Sequence, residues 1–115
     1  MVVSSITDGD TFRIVDGDTS VPVRVRGLDS PELRRYGRGR PVPLCETALA
    51  DQARAYAVQM LTRDGAVVTM RVTGADRFGR LLAWVWVDGE RLDKLMINAG
   101  HGRAYTGGQR TGGWC

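Results

Sequence analysis

The stretch TFRIVDGDTSVPVRVR, residues 11–26, decides the fold that this sequence predicts. β-Branched and apolar side chains dominate residues 11–15 and 21–26, as they do in β-strands. The DGD triplet between these two runs is typical of a tight turn. We therefore expect a β-hairpin whose second strand carries arginines on one face and valines on the other.

The chain beyond this hairpin predicts two helices and two further strands. Residues 44–63 have helical periodicity, residues 67–73 and 81–87 are rich in β-formers, and a short helix follows that ends at Gly100. This order suits an α+β domain built on a small, five-stranded OB-type β-barrel with packed helices. The apolar stripes of the two helices are Leu49, Ala53, Tyr56, Ala57, Met60 and Leu61, and then Leu92, Leu95, Met96 and Ala99.

Length and composition indicate one globular domain without a membrane span. A chain of 115 residues can bury one core, so we expect a single domain over residues 1–115, with its core at about residues 6–105. The composition, 43% hydrophobic and 25% charged, excludes a disordered chain. The longest apolar run, residues 81–87, is too short to cross a bilayer. We expect a monomer with no membrane partner.

Arginine supplies almost all of the positive charge, since Lys94 is the only lysine in a chain of formal net charge +3. A guanidinium can donate two hydrogen bonds to one phosphate, so the bias favours a phosphate-bearing partner. A GC-rich genome would produce the same bias, and both explanations stay open. Residues 31–43 predict a mobile basic loop, whose arginines are Arg34, Arg35, Arg38 and Arg40.

The two cysteines, Cys45 and Cys115, lack the spacing of a zinc site. They leave two alternatives open, a disulfide in an oxidising compartment or two free thiols. No leader sequence precedes the first motif. The chain is therefore cytoplasmic if Met1 is the native start, and secreted or periplasmic if a leader has been removed.

Three short segments carry the carboxylate and arginine side chains needed to bind a metal ion and a phosphodiester. They are DGDTF at residues 8–12, RVRGLDSPE at residues 24–32 and DRFGR at residues 76–80. Each alone is weak, because DGD is a common turn. In this order and spacing, the chain resembles the staphylococcal nuclease (thermonuclease) family. The glycine-rich tail, residues 106–115, departs from that family, because it lacks the long C-terminal helix of the type member.

The resemblance implies Ca²⁺ as the cofactor, an ion that binds carboxylate and carbonyl oxygens. It implies Asp10 and Asp29 as carboxylate ligands and Ser30 as a carbonyl ligand, with Asp8 orienting a metal-bound water. A second DGDT, at residues 16–19, is assigned no metal, because it occupies the hairpin turn and lacks the strand that should follow the first copy.

The resemblance also implies the catalytic set. Arg24 and Arg80 would neutralise the phosphate, and Glu32 would be the general base or the group that orients the water. Tyr105 and Phe78 are the candidates for stacking on bases. His101, the only histidine, is interpreted as a loop residue without a catalytic role.

The function expected from these residues is calcium-dependent hydrolysis of phosphodiester bonds in DNA and RNA, with a preference for single-stranded regions. The alternative is a noncatalytic nucleic-acid-binding module of the same family, since OB folds often bind nucleic acid without cutting it. The presence of all the acidic and arginine positions favours the enzyme.

Overall fold

The computed structural model describes residues 2–33, 36–37, 40–107 and 112–115. The helices are α1 (Leu44–Thr62) and α2 (Leu92–Asn98). The strands are β1 (Val2–Asp8), β2 (Thr11–Asp16), β3 (Thr19–Val25), β4 (Gly27–Asp29), β5 (Tyr36–Gly37), β6 (Arg40–Pro41), β7 (Val68–Ala75), β8 (Leu81–Val87), β9 (Glu90–Arg91) and β10 (Arg103–Tyr105).

The predicted hairpin is confirmed as β2 and β3, which pair antiparallel from Thr11 opposite Arg24 to Asp16 opposite Thr19. The sequence analysis did not predict β1, which pairs with β2 through a second tight turn. The first DGDT therefore also occupies a hairpin turn, and a strand follows each copy, β2 from Thr11 and β3 from Thr19. Both reasons for separating the two copies were therefore wrong. β8 lies parallel to β3 and antiparallel to β7.

The α+β, OB-type class is confirmed, but the sheet is not closed into a barrel. Among the described strands its order is β1-β2-β3-β8-β7, with β9 at the side of β8, and β4 pairs with β10 in a separate two-stranded sheet. The core lies between the large sheet and the two helices. It is formed by Ile6, Phe12, Ile14, Val23, Val25, Leu28, Ala53, Ala57, Leu61, Ala83, Val85, Val87, Leu92 and Met96.

Helix α1 lies against β1, where Arg54 Nε donates a hydrogen bond of 2.8 Å to Ile6 O. The helix ends one residue before the predicted boundary, and Ala53, Ala57 and Leu61 of the predicted stripe are buried. The other predicted stripe positions, Leu49, Tyr56 and Met60, are half-buried.

The predicted end of the second helix is also confirmed. Gly100 has a φ of +82°, a left-handed conformation in which glycine is favoured. His101 N donates back to Met96 O over 2.9 Å, which closes the helix end. His101 itself lies against the ring of Tyr56, with 5.0 Å between ring centroids.

The cysteine alternatives resolve as a Cys45–Cys115 disulfide, which joins the start of α1 to the tail. The described tail residues, 106–107 and 112–115, form neither helix nor strand. Arg34, Arg35 and Arg38 of the predicted basic loop lie outside the described residues. No described helix combines the length and the apolar character needed to cross a membrane.

Candidate active site

The turn between β1 and β2 places two carboxylates in the interior. Asp8 Oδ1 accepts a hydrogen bond of 3.1 Å from Asp10 N, and the Asp10 side chain is fully buried. A Cβ at Gly9 would lie 2.8 Å from Ser30 Cβ and 3.1 Å from Ala53 Cβ. Glycine is therefore required for this turn to press against α1 and the segment after β4.

The end of β4 meets this turn directly. Ser30 N donates a hydrogen bond of 3.1 Å to Asp10 Oδ2, and Asp29 and Ser30 are both buried. The structure therefore brings the three predicted metal ligands, Asp10, Asp29 and Ser30, into one neighbourhood.

Glu32 follows three residues after Asp29 and is held by a residue that the sequence analysis missed. Glu32 N donates a hydrogen bond of 2.7 Å to Glu46 Oε2 in the first turn of α1. Both glutamates are buried. A sequence signal existed, because Glu46 lies four residues before Ala50 and seven before Ala53, on the stripe that faces the core.

The buried carboxylates lie close enough together to change the protonation of Asp8. Burial, followed by the charge of Asp10 and a further contribution from Glu32, raises the pKa of Asp8 to about 8. A cation bound nearby would relieve this repulsion. Carboxylate oxygens such as those of Asp8 and Asp10 are the donor type that a hard divalent ion prefers. Within the described residues, however, no three or more His, Cys, Asp or Glu side chains form a group that could by itself hold a metal.

Arg24 enters the site from β3. Its side chain is buried, its Nη1 donates a hydrogen bond of 2.7 Å to Val25 O, and its Nη2 lies 3.7 Å from Asp10 Oδ2. Among the described atoms, Nη2 makes no hydrogen bond. The Tyr105 ring lies beside the guanidinium, with 5.3 Å between Cζ and the ring centroid.

Arg80 is oriented by Asp76, the first residue of the DRFGR segment. Arg80 Nε donates to Asp76 Oδ2 over 2.7 Å, and the Arg80 and Phe78 backbone N–H groups donate to Oδ1. Although partial burial acts in the opposite direction, these hydrogen bonds hold the pKa of Asp76 below its usual value. Asp76 therefore fixes both the loop and the arginine at its end.

Two cavities meet at Arg80. One, of about 340 Å³, is lined by Arg80, Arg24, Phe78 and Tyr105 among others. The other, of about 300 Å³, is lined by Arg80 together with Asp8 and Glu32. Arg80 therefore lies between the predicted base-stacking residues and the acidic residues.

Arg103, on β10, is a second residue that the sequence analysis missed. It pairs across the strands with Asp29, and its Nε donates a hydrogen bond of 3.1 Å to Asp29 Oδ2. A Cβ at the preceding Gly102 would clash with the Leu28 side chain and lie 3.1 Å from Asp29 O. The glycine lets β10 lie close to β4. The HGR sequence carried no signal of this pairing, since strand pairing at such distance in the chain is a tertiary property.

Fold and site together define a small α+β domain of OB type whose buried acidic residues lie near three arginines, Arg24, Arg80 and Arg103. Residues 22–112 match the family described as staphylococcal nuclease homologue, and the chain belongs to that family. The matched range begins after Asp8 and Asp10, so the position of these two residues rests on the geometry of the site.

Two curated proteins are similar to this chain over most of its length. An "Uncharacterized endonuclease" of Escherichia coli O157:H7 is 29% identical over 105 residues, which are 90% of this chain and 59% of the relative. "Protein ParB" of Escherichia coli is 36% identical over 114 residues, which are 84% of this chain and 56% of that protein. The chain thus spans a little over half the length of these relatives.

Proposed function

We propose that this protein is a calcium-dependent nuclease that hydrolyses phosphodiester bonds of DNA and RNA. The observation that carries the proposal is the position of Arg80, which lines one cavity with Arg24 and Tyr105 and the other with Asp8 and Glu32. A phosphate at this junction would meet positive charge and would lie beside the acidic residues. Family membership and the endonuclease name of the relatives support the same activity.

Asp10 and Asp29 would hold the ion through their carboxylates, and Ser30 would hold it through its carbonyl. Bound there, Ca²⁺ would supply charge neutralisation for the phosphoryl oxygens and would make water more acidic. Asp8 would orient water beside Asp10, to whose N–H it is already hydrogen-bonded. The two carboxylate ligands come from different elements, the β1–β2 turn and β4, so the site depends on the tertiary fold.

The remaining chemistry belongs to three side chains. Glu32 takes the proton from the attacking water, or orients that water, and the contact between its backbone and Glu46 keeps it in place. Arg24 and Arg80 donate hydrogen bonds to the phosphoryl oxygens, where negative charge grows in the transition state. Arg24 Nη2 is already buried and directed towards Asp10, so little reorganisation is needed before the reaction.

Tyr105 and Phe78 would bind the bases. The Tyr105 ring lies beside Arg24, and the Phe78 ring lies beside Arg80 with 5.7 Å between Cζ and the ring centroid. Phe78 is also 65% exposed, which leaves its ring accessible for stacking. Bases stack on such rings only when they are unpaired, which supports a preference for single-stranded substrates.

We place all of this activity in one monomeric domain, residues 1–115.

Cleavage of labelled single-stranded DNA, with Ca²⁺ and with a chelator, tests the proposal. Glu32→Gln and Arg24→Ala should each lower the rate by about 100- to 1,000-fold, the usual cost of losing one well-placed catalytic group. Glu90→Gln and Arg71→Ala are matched controls, because these side chains are exposed on β9 and β7. They should keep the wild-type rate.

Two outcomes would contradict the proposal. Binding of DNA without cleavage under every condition would leave the noncatalytic nucleic-acid-binding module. Cleavage that is unchanged by the chelator would remove calcium from the mechanism.

A further inference from the structure

Arg103 joins the candidate metal site to the C-terminal tail. Its Nε donates to Asp29 Oδ2 over 3.1 Å, and its Nη2 donates to Gly112 O over 2.6 Å. The guanidinium also stacks on the indole of Trp114, with 4.1 Å between Cζ and the ring centroid. One side chain therefore contacts a candidate calcium ligand on one side and the tail on the other.

The tail is itself covalently anchored. Cys115, next to Trp114, forms the disulfide with Cys45, 70 residues earlier in the chain. Cys45 directly precedes Glu46, which accepts the hydrogen bond from Glu32 N. The disulfide thus fixes residues 112–115 against the same helix turn that supports the catalytic glutamate.

The anchored tail lowers the entropy cost of the ion pair between Arg103 and Asp29. The Arg103 side chain is 39% exposed, and an ion pair of such exposure usually contributes little, because holding a long side chain in one conformation costs entropy. Here the indole and the Gly112 carbonyl already restrict the guanidinium. Asp29, whose side chain is only 4% exposed, therefore receives a donor of fixed direction.

We propose that Arg103 is a positioning residue for Asp29, and that the disulfide-anchored tail holds Arg103 in place for this role. The proposal rests on the proposed function, in which Asp29 binds Ca²⁺. Hydrogen bonds to a ligating carboxylate set its orientation, and their loss typically weakens metal binding by about 10- to 100-fold. The tail thereby supports ion binding without contacting the ion.

Calorimetric titration with Ca²⁺, without nucleic acid, provides the test. Arg103→Lys keeps the charge but loses the planar fork that contacts Asp29 and Gly112 together, and should weaken calcium binding by about tenfold or more. Arg91→Lys is the matched control: Arg91 has similar exposure and a two-point ion pair with Asp93, outside the site. It should leave calcium affinity unchanged.

A double-mutant cycle separates positioning from general stability. Cys45→Ser with Cys115→Ser should weaken calcium binding in the wild type, but should add little in the Arg103→Lys background, because both changes act through the same contact. Trp114→Leu keeps the disulfide and removes the stacking. It gives the same test if the cysteine variant does not fold, as judged by thermal melting.

The outcomes distinguish this inference from the function it rests on. Calcium affinity that is the same in Arg103→Lys, Trp114→Leu and wild type would overturn the role of Arg103 alone. Additive losses from the cysteine and Arg103 changes would overturn the link through the tail. A wild-type protein that binds no calcium would overturn both this inference and the calcium dependence of the proposed function.

Discussion

The chain carries the same four residues twice, DGDT at residues 8–11 and again at residues 16–19, in two contrasting environments. Both copies turn one strand into the next, with Asp8 opposite Thr11 and Asp16 opposite Thr19. The first copy is buried beneath α1 and the segment after β4, whereas the second is exposed throughout. Identical local sequence in two hairpin turns thus gives one candidate metal site and one exposed turn, and the two turns differ in the segments that pack on them.

The largest expected difference between the two turns is at their second aspartates, Asp10 and Asp18. Asp10→Asn should lower calcium-dependent cleavage by about 100-fold or more, because it removes a proposed carboxylate ligand that is fully buried beside Arg24. Asp18→Asn, in the exposed turn, should leave the rate unchanged. Initial rates over a calcium titration measure both, and a loss of equal size in the two variants would contradict the contrast.

The first aspartates of the turns should differ in the pH dependence of stability. Asp8 has its pKa raised from 3.8 to about 8, so its folded carboxyl stays protonated while the unfolded one ionises. Without divalent ions, stability should therefore be full below pH 4 and should fall as pH rises towards 8, by on the order of 5 kcal/mol. Asp8→Asn should remove this fall, whereas Asp16→Asn should not. Urea unfolding at several pH values tests it.

Replacing the glycine of either turn by alanine should lower stability, but for different physical reasons. Gly9→Ala places a Cβ within 2.8 Å of Ser30 Cβ and should cost about 1–3 kcal/mol of stability through overpacking. Gly17→Ala meets no atom within 4 Å but has a φ of +62°, so about 1 kcal/mol of backbone strain is expected. Chemical denaturation gives both values. Ser30→Gly should partly rescue Gly9→Ala and not Gly17→Ala, and equal rescue would contradict the packing argument.

The smallest effect concerns the threonines. Thr11 Oγ1 donates a hydrogen bond of 3.0 Å to Asp10 Oδ1 in the interior, so Thr11→Val should cost about 1 kcal/mol of stability. Thr19 is exposed, and Thr19→Val should change stability by less than about 0.5 kcal/mol. Thermal melts of the two variants would sharpen the comparison, and equal shifts would contradict it.

Local patterns were enough to predict several elements of this fold. The β2–β3 hairpin, the α1 stripe and the Gly100 helix end follow from turn chemistry, 3.6-residue periodicity and the conformational freedom of glycine. The strand β1 was missed, because VVSSITD is too polar to stand out before its pairing with β2 is known. The short strands β4 and β10 were missed because three residues carry no periodicity.

The sequence by itself determined the chemical inventory and the family: several aspartates and a glutamate, two well-separated arginines and the motifs that contain them. Only the tertiary structure decided which copy of DGDT is buried, that Glu46 supports Glu32, and that Arg103 reaches Asp29. The physical reason is the distance along the chain over which each kind of interaction acts. Turn and helix preferences act over a few residues, whereas burial and strand pairing depend on segments that the chain brings together from up to 74 residues apart.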